Sequence, residues 1–193
     1  EGPLSAGFPR RVGVWSGDGV EVVTTGATRG KNRARFVRAD PDTATPQGRA
    51  IACDLFQLVD LHDSPRRRRD QDPALLELSA EFLDARAPNA TPSVTFFCQI
   101  YLFRGDPTRM HETWPTRIAE AVSSGSASIT TLGDGGRRSV TARCLAADDA
   151  DYAVIQIAAR PNLRGPMPPD LFVDDVRLTL KTRPSLPEQA VAR

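Results

Sequence analysis

The sequence predicts an all-β domain, a two-sheet antiparallel sandwich or jelly roll with one short inserted helix. Three observations predict it. Stretches of apolar and polar residues alternate with period two, the period of a strand whose successive side chains point to opposite faces. Breaks built from Gly, Pro, Asp and Asn separate these stretches at regular intervals. And 16 Pro and 14 Gly in 193 residues favour many turns over long helices.

The elements follow in order. Strands are expected over 20–25, 33–39, 52–61, 75–85, 93–104, 126–132, 139–146, 152–160 and 172–182. The breaks lie at Asp40-Pro41-Asp42, Asp63-Ser64-Pro65, Ala87-Pro88-Asn89, Gly133-Asp134-Gly135-Gly136 and 161–169. Over 75–85 the pattern is clearest. Leu76, Leu78, Ala80 and Phe82 share one face and Glu77, Ser79 and Glu81 the other. Over 93–104, Val94, Phe96, Cys98, Ile100 and Leu102 form the apolar set. The one helix is expected to start at Pro115, where a missing N–H costs nothing. It turns Ile118, Ala119 and Val122 to one side and stops at Gly125. The domain is expected over 1–183, with a polar, loosely ordered tail over 184–193.

Composition excludes several classes of function. Twenty-five basic and 24 acidic residues give a net charge of +1, without the basic excess that nucleic-acid or membrane-surface binding requires. No apolar run reaches the roughly 20 residues that span a bilayer, so no membrane insertion by this segment is expected. Cys53, Cys98 and Cys144 are far apart and form no zinc-type cluster, so buried free thiols are expected. The first residue is Glu1 rather than Met, which reads as a trimmed chain.

Motifs for catalysis are missing. Gly26–Lys31 has the wrong spacing for a phosphate loop, and Asn32 follows the lysine. His111-Glu112 meets Pro115 where the helical zinc motif needs its second histidine. No Gly-x-Ser-x-Gly elbow is present. Glu77 and Glu81 are imaginable as glycosidase carboxylates, but alternation puts them on a solvated strand face. The Arg66–Arg69 run is surrounded by Asp60, Asp63, Asp70 and Asp72 and reads as a solvated loop. The rival class to a binding domain is a domain of a polysaccharide or ester hydrolase, or one associated with it.

One carboxylate stands out. Asp174 falls in the phase of Phe172, Val176, Leu178 and Leu180, which is read as the inward phase. A buried carboxylate needs a cation, several donors or an arginine. Oxygen ligands suit calcium, and Glu1 or Glu21 would supply a second carboxylate if the chain ends meet.

A chain that opens with Glu1, carries Trp15 in a loop and closes with Asp174-Asp175-Val176-Arg177-Leu178 resembles the galactose-binding-like jelly rolls, which include many carbohydrate-binding modules. The strings at 35–40, 54–61 and 173–180 (RFVRAD, DLFQLVDL, VDDVRLTL) further resemble the extracytoplasmic jelly-roll region of FecR-like regulators of planctomycete-type bacteria. That resemblance implies a non-catalytic domain in the periplasm or outside the cell, attached to an anti-sigma or envelope-signalling protein. The sequence departs from the regulators in having no membrane span and no helical sigma-binding segment. In the modules a structural calcium near the chain ends is usual, which carries over to Glu1 and Asp174. The partner implied is polysaccharide or an envelope protein. Such modules bind glycans on one concave sheet, where aromatics stack on sugar rings and amides bond hydroxyls. The outward phases nominate Phe56, Gln99, Tyr101 and Gln156, together with Gln57, which falls in the phase of Leu55 and Val59.

Overall fold

A computed structural model describes residues 4–24, 32–37, 53–62, 74–163 and 167–182. The expected tail, the Arg66–Arg69 run, the Gly26–Lys31 stretch and Glu1 lie outside the described residues. The strands are β1 (Ser5–Ala6), β2 (Trp15–Asp18), β3 (Val20–Val23), β4 (Arg33–Phe36), β5 (Cys53–Asp60), β6 (Ala74–Asp84), β7 (Val94–Phe103), β8 (Ser123–Thr131), β9 (Arg137–Leu145), β10 (Tyr152–Pro161) and β11 (Leu171–Thr182). They form two sheets packed as a jelly-roll sandwich. One has the order β1-β2-β5-β10-β7-β8 and the other β3-β4-β11-β6-β9. Every pairing is antiparallel except β1 with β2.

The alternation in the sequence builds the core directly. Along β6 every second residue is buried, and Leu76, Leu78, Ala80 and Phe82 are all within 3% of full burial. On β7, Val94, Phe96, Cys98, Ile100 and Leu102 are fully enclosed. The two sets meet between the sheets, where Phe82 stacks on Phe96 with centroids 4.6 Å apart. Each large apolar side chain enclosed there contributes about 1.5–3 kcal/mol of transfer free energy. The three cysteines are buried and none is in a disulfide. Burial pushes Cys98 up to about 12 and Cys144 to about 11, so both remain protonated and inert.

The structure corrects the expected helix. The one α-turn is α1 (Met110–Thr113), which precedes Pro115. It is flanked by 3-10 turns at Pro107–Arg109 and Thr116–Glu120. The residue before a proline is driven to extended backbone, and Trp114, with ψ 137°, ends α1 there. Gly125 stops no helix: it lies inside β8, which starts at Ser123 rather than 126. A Cβ at Gly125 would sit 2.0 Å from the Arg143 carbonyl oxygen, so glycine is what lets β8 and β9 close against each other.

Asp174 requires a second correction. It pairs with Glu81, and Arg177 pairs with Ser79, so β11 carries one extra residue at this point. Asp175 takes φ 50°. A bulge of one residue exchanges the two faces of a strand. Leu171 and Val173 are therefore the buried pair before the bulge. After it, Val176, Leu178 and Leu180 pack on the core. Asp174 belongs to the outward phase, not the inward one. Its Oδ2 lies 3.4 Å from Arg33 Nε and 3.9 Å from Arg137 Nη1.

Among the described residues the buried carboxylate is Asp84, at the end of the alternating set of β6 and 2% exposed. Arg86 grips it with a two-pronged fork, Nε to Oδ1 and Nη2 to Oδ2, both at 2.7 Å, and also donates to the Pro92 carbonyl at 2.7 Å. Burial works to raise the Asp84 carboxyl, but the Arg86 bonds and charge outweigh it and hold the group below its ordinary value. Gly133, with φ 78°, closes over the pair; a Cβ there would meet the Ala87 carbonyl oxygen at 2.5 Å. Among the described residues no helix is long and apolar enough to cross a membrane.

Candidate functional site

The two sheets present outward faces of different kinds. On the five-stranded sheet the outward face is a set of paired charges. Glu77 accepts from Lys181 at 2.7 Å and from Arg143 at 2.8 Å, and Arg137 meets Glu81 at 3.2 Å. Lys181 first, then Arg143, holds the Glu77 carboxyl below its ordinary value. Arg35 bonds Glu21 at 3.4 Å. The two carboxylates imaginable as a glycosidase pair are thus each engaged by cations on this face.

The outward face of the six-stranded sheet is half closed and half open. Register sets its rows. Leu58, Val154, Tyr101 and Ser124 lie abreast, as do Ser16, Phe56, Gln156, Gln99 and Ser126, and then Asp18, Asp54, Ala158, Phe97 and Ser128. Alternation along β5, β7 and β10 turns all of these away from the main core. One end is capped. Met110 and Trp114, four residues apart around α1, fall on the same side and come down on the sheet. Trp114 stacks on Phe8 at 4.9 Å and meets Phe56 and Tyr101 edge-on, each at 5.6 Å. Phe103 stacks on Tyr152 beneath the cap at 5.5 Å.

The other end is polar. Gln156 Nε2 donates to Asp54 Oδ1 at 2.7 Å. Burial pushes the Asp54 carboxyl up from 3.8 to about 6; the Gln156 bond opposes the shift and the Asp18 charge adds to it. Burial also raises the Tyr101 phenol, with the Asp54 charge adding and a hydrogen bond to Gln99 opposing. Farther along, the Arg160 guanidinium lies over the Phe97 ring at 5.1 Å.

Gln99, Tyr101 and Gln156 therefore come together, half-buried on adjacent strands. Phe56 is on the same face but only 6% exposed; Phe8 and Trp114 cover it, so it is floor rather than contact surface. Gln57 is corrected: it lies in the phase of the core-packed Leu55 and Val59, and its amide donates to the Gly13 carbonyl at 3.0 Å. It is not on this face. Asp174 stands on the other sheet between two arginines. Arg33 and Arg137 face its carboxylate, and Glu1, the other ligand expected for calcium, lies outside the described residues.

Asp54, Asp18, Phe97, Phe8 and Trp114 belong to the face although the periodicity argument did not nominate them. Asp54 was open to discovery, because it lies two residues from Phe56 and shares its phase. Trp114 and Phe8 were not: both are in connections, and only folding brings them over the sheet.

No family model matches the chain, and no curated protein matches it. Among solved structures it is similar to TmCBM61 in complex with β-1,4-galactotriose, with 15% identity, TM-score 0.49, and 89% of this chain and 92% of that one covered. It is also similar to the enzymatically active domain of the bacteriophage CBA120 tailspike protein 4, with 12% identity, TM-score 0.47, and coverage of 89% and 20%. A third is the Clostridium thermocellum xylanase 10B fragment of CBM22-1 and GH10 modules complexed with xylohexaose, with 12% identity, TM-score 0.45, and coverage of 86% and 26%. Likeness at this level carries no argument about ligand or activity.

Proposed function

We propose that this chain is a non-catalytic binding domain that takes a polysaccharide on the outward face of its six-stranded sheet. The observation that carries the reading is the juxtaposition there of Tyr101 and Trp114 with the half-buried amides of Gln99 and Gln156. An aromatic ring face offers the apolar side of a sugar ring a stacking surface, and amides both donate to and accept from hydroxyls. A binding rather than bond-breaking role is supported by Glu77 and Glu81, the carboxylates imaginable as a pair, being committed to cations on the opposite sheet. We place the domain in the periplasm or outside the cell, in a FecR-like envelope-signalling protein. The support for that setting is the three strings named above, which lie around β4, β5 and β11.

Affinity electrophoresis against a panel of polysaccharides tests the binding reading. Tyr101→Ala and Gln99→Ala are each expected to weaken retention about tenfold, the equivalent of one lost contact of about 1.4 kcal/mol. Gln57→Ala, on the wrong face, is expected to leave it unchanged. No retention by any polysaccharide overturns the reading.

A further inference from the structure

The open end of the face has a sign of charge as well as a shape. Asp18 and Asp54 stand opposite each other across β2 and β5. Among the described residues neither is in an ion pair, and the hydrogen bond on Asp54 comes from a neutral amide, Gln156. Every other partly enclosed carboxylate described above has an arginine or lysine: Asp84 has Arg86, Glu77 has Arg143 and Lys181, and Asp174 has Arg33 and Arg137. One row away on the same face of β2, Ser16 is fully enclosed and its Oγ has no hydrogen-bond partner. Across the sheet the row continues through Ala158 to Phe97. Ala158, 2% exposed, lies between the two strands that carry Asp54 and Phe97, which therefore stand two strands apart, roughly 10 Å. Arg160, over the Phe97 ring, puts the positive charge at the far wall.

We infer that this end of the face selects glycans carrying an unacetylated amino group, with the ammonium seated at the Asp18 and Asp54 carboxylates and hydroxyls toward Arg160. The inference rests on the polysaccharide reading above and names the class of sugar. An ammonium supplies the countercharge that the fold withholds from Asp54, and an enclosed carboxylate gains most from such a partner. Burial, with the Asp18 charge adding to it, already holds the Asp54 carboxyl up at about 6. A neutral sugar gains hydrogen bonds here but leaves two facing acids uncompensated. An N-acetyl group at the same place brings neither charge nor an N–H fork to share between them.

The test is calorimetric titration of the whole chain with two matched hexosamine oligosaccharides, one fully N-acetylated and one fully de-N-acetylated, with a neutral hexose oligosaccharide alongside. Chelator is present throughout, so that no metal bridges ligand and acids. The de-N-acetylated oligosaccharide is expected to bind about tenfold more tightly than its acetylated partner. Asp54→Asn and, independently, the exposed Asp18→Asn are each expected to bring the affinities for the matched pair to within about threefold of each other. Equal binding of the matched pair by the wild type overturns the inference alone, as does a preference that survives in both variants. Failure to bind any of the three sugars overturns the polysaccharide reading and this inference with it.

Discussion

Asp84 and Asp54 are the two enclosed aspartates that differ most in what surrounds them. Asp84 sits at the end of β6 inside a fork of Arg86, under Gly133, with every oxygen engaged. Asp54 sits near the start of β5 beneath the open half of a sheet face, with an amide and a second acid as its neighbours. The fold holds the first carboxyl below its ordinary value and pushes the second up to about 6. The difference separates an acid that holds the fold together from one that the fold tolerates, and groups of the second kind collect at binding sites.

The contrast can be broken at its strong end. Arg86→Ala leaves Asp84 buried without its cation and is expected to cost about 3–5 kcal/mol in denaturant unfolding. A loss under about 1 kcal/mol would mean that the fork is not structural.

At the other end the sign reverses. The folded Asp54 holds its proton more tightly than the unfolded one, so its contribution to stability is fullest below about 3.8 and is lost as pH rises to about 6. Asp54→Asn is therefore expected to match the wild type at pH 3.5 and to be more stable by about 2 kcal/mol at pH 7, a figure reduced from the full shift for partial exposure. Melting curves across that range check it. Asp84 runs the opposite way: its stabilisation is present above the unfolded value and disappears on acidification. A variant at Asp54 that is destabilised at pH 7 would erase the comparison.

Asp174 lies between the two, and the smallest effect is expected there. It is partly exposed between Arg33 and Arg137, so Asp174→Asn is expected to cost about 0.5–1 kcal/mol. Chelator is expected to leave the melting temperature of the wild type unmoved. A fall on chelation would show a bound ion through ligand linkage, with this carboxylate as its candidate ligand.

Asp174 and Asp84 also show how far strand periodicity reaches. One argument, that an acid in the inward phase must be partnered, applies to both. It fits Asp84, two residues past Phe82 in the same unbroken alternation, with its arginine two residues farther on. It misplaces Asp174, because an extra residue at the bulge exchanges the faces between Val173 and Val176. Counting by twos holds only while the register does. Gln99, Tyr101 and Gln156 were legible as face neighbours for the same reason that β6 and β7 were legible as strands: their alternation is uninterrupted.

By itself the sequence determined nine of the eleven strands (β1 and β2, which holds Trp15, were not among them), the core residues on β6 and β7, and the side of each strand on which the amides and Tyr101 stand. Those follow from a two-residue repeat, which is local. Tertiary structure alone decided that Phe8 and Trp114 cover Phe56 and that Asp18 faces Asp54. It also decided that arginines reach some acids and leave others bare. Such meetings join residues distant in the chain, and they are set by which strands pair and where a connection comes to rest, information that no short window of side chains contains.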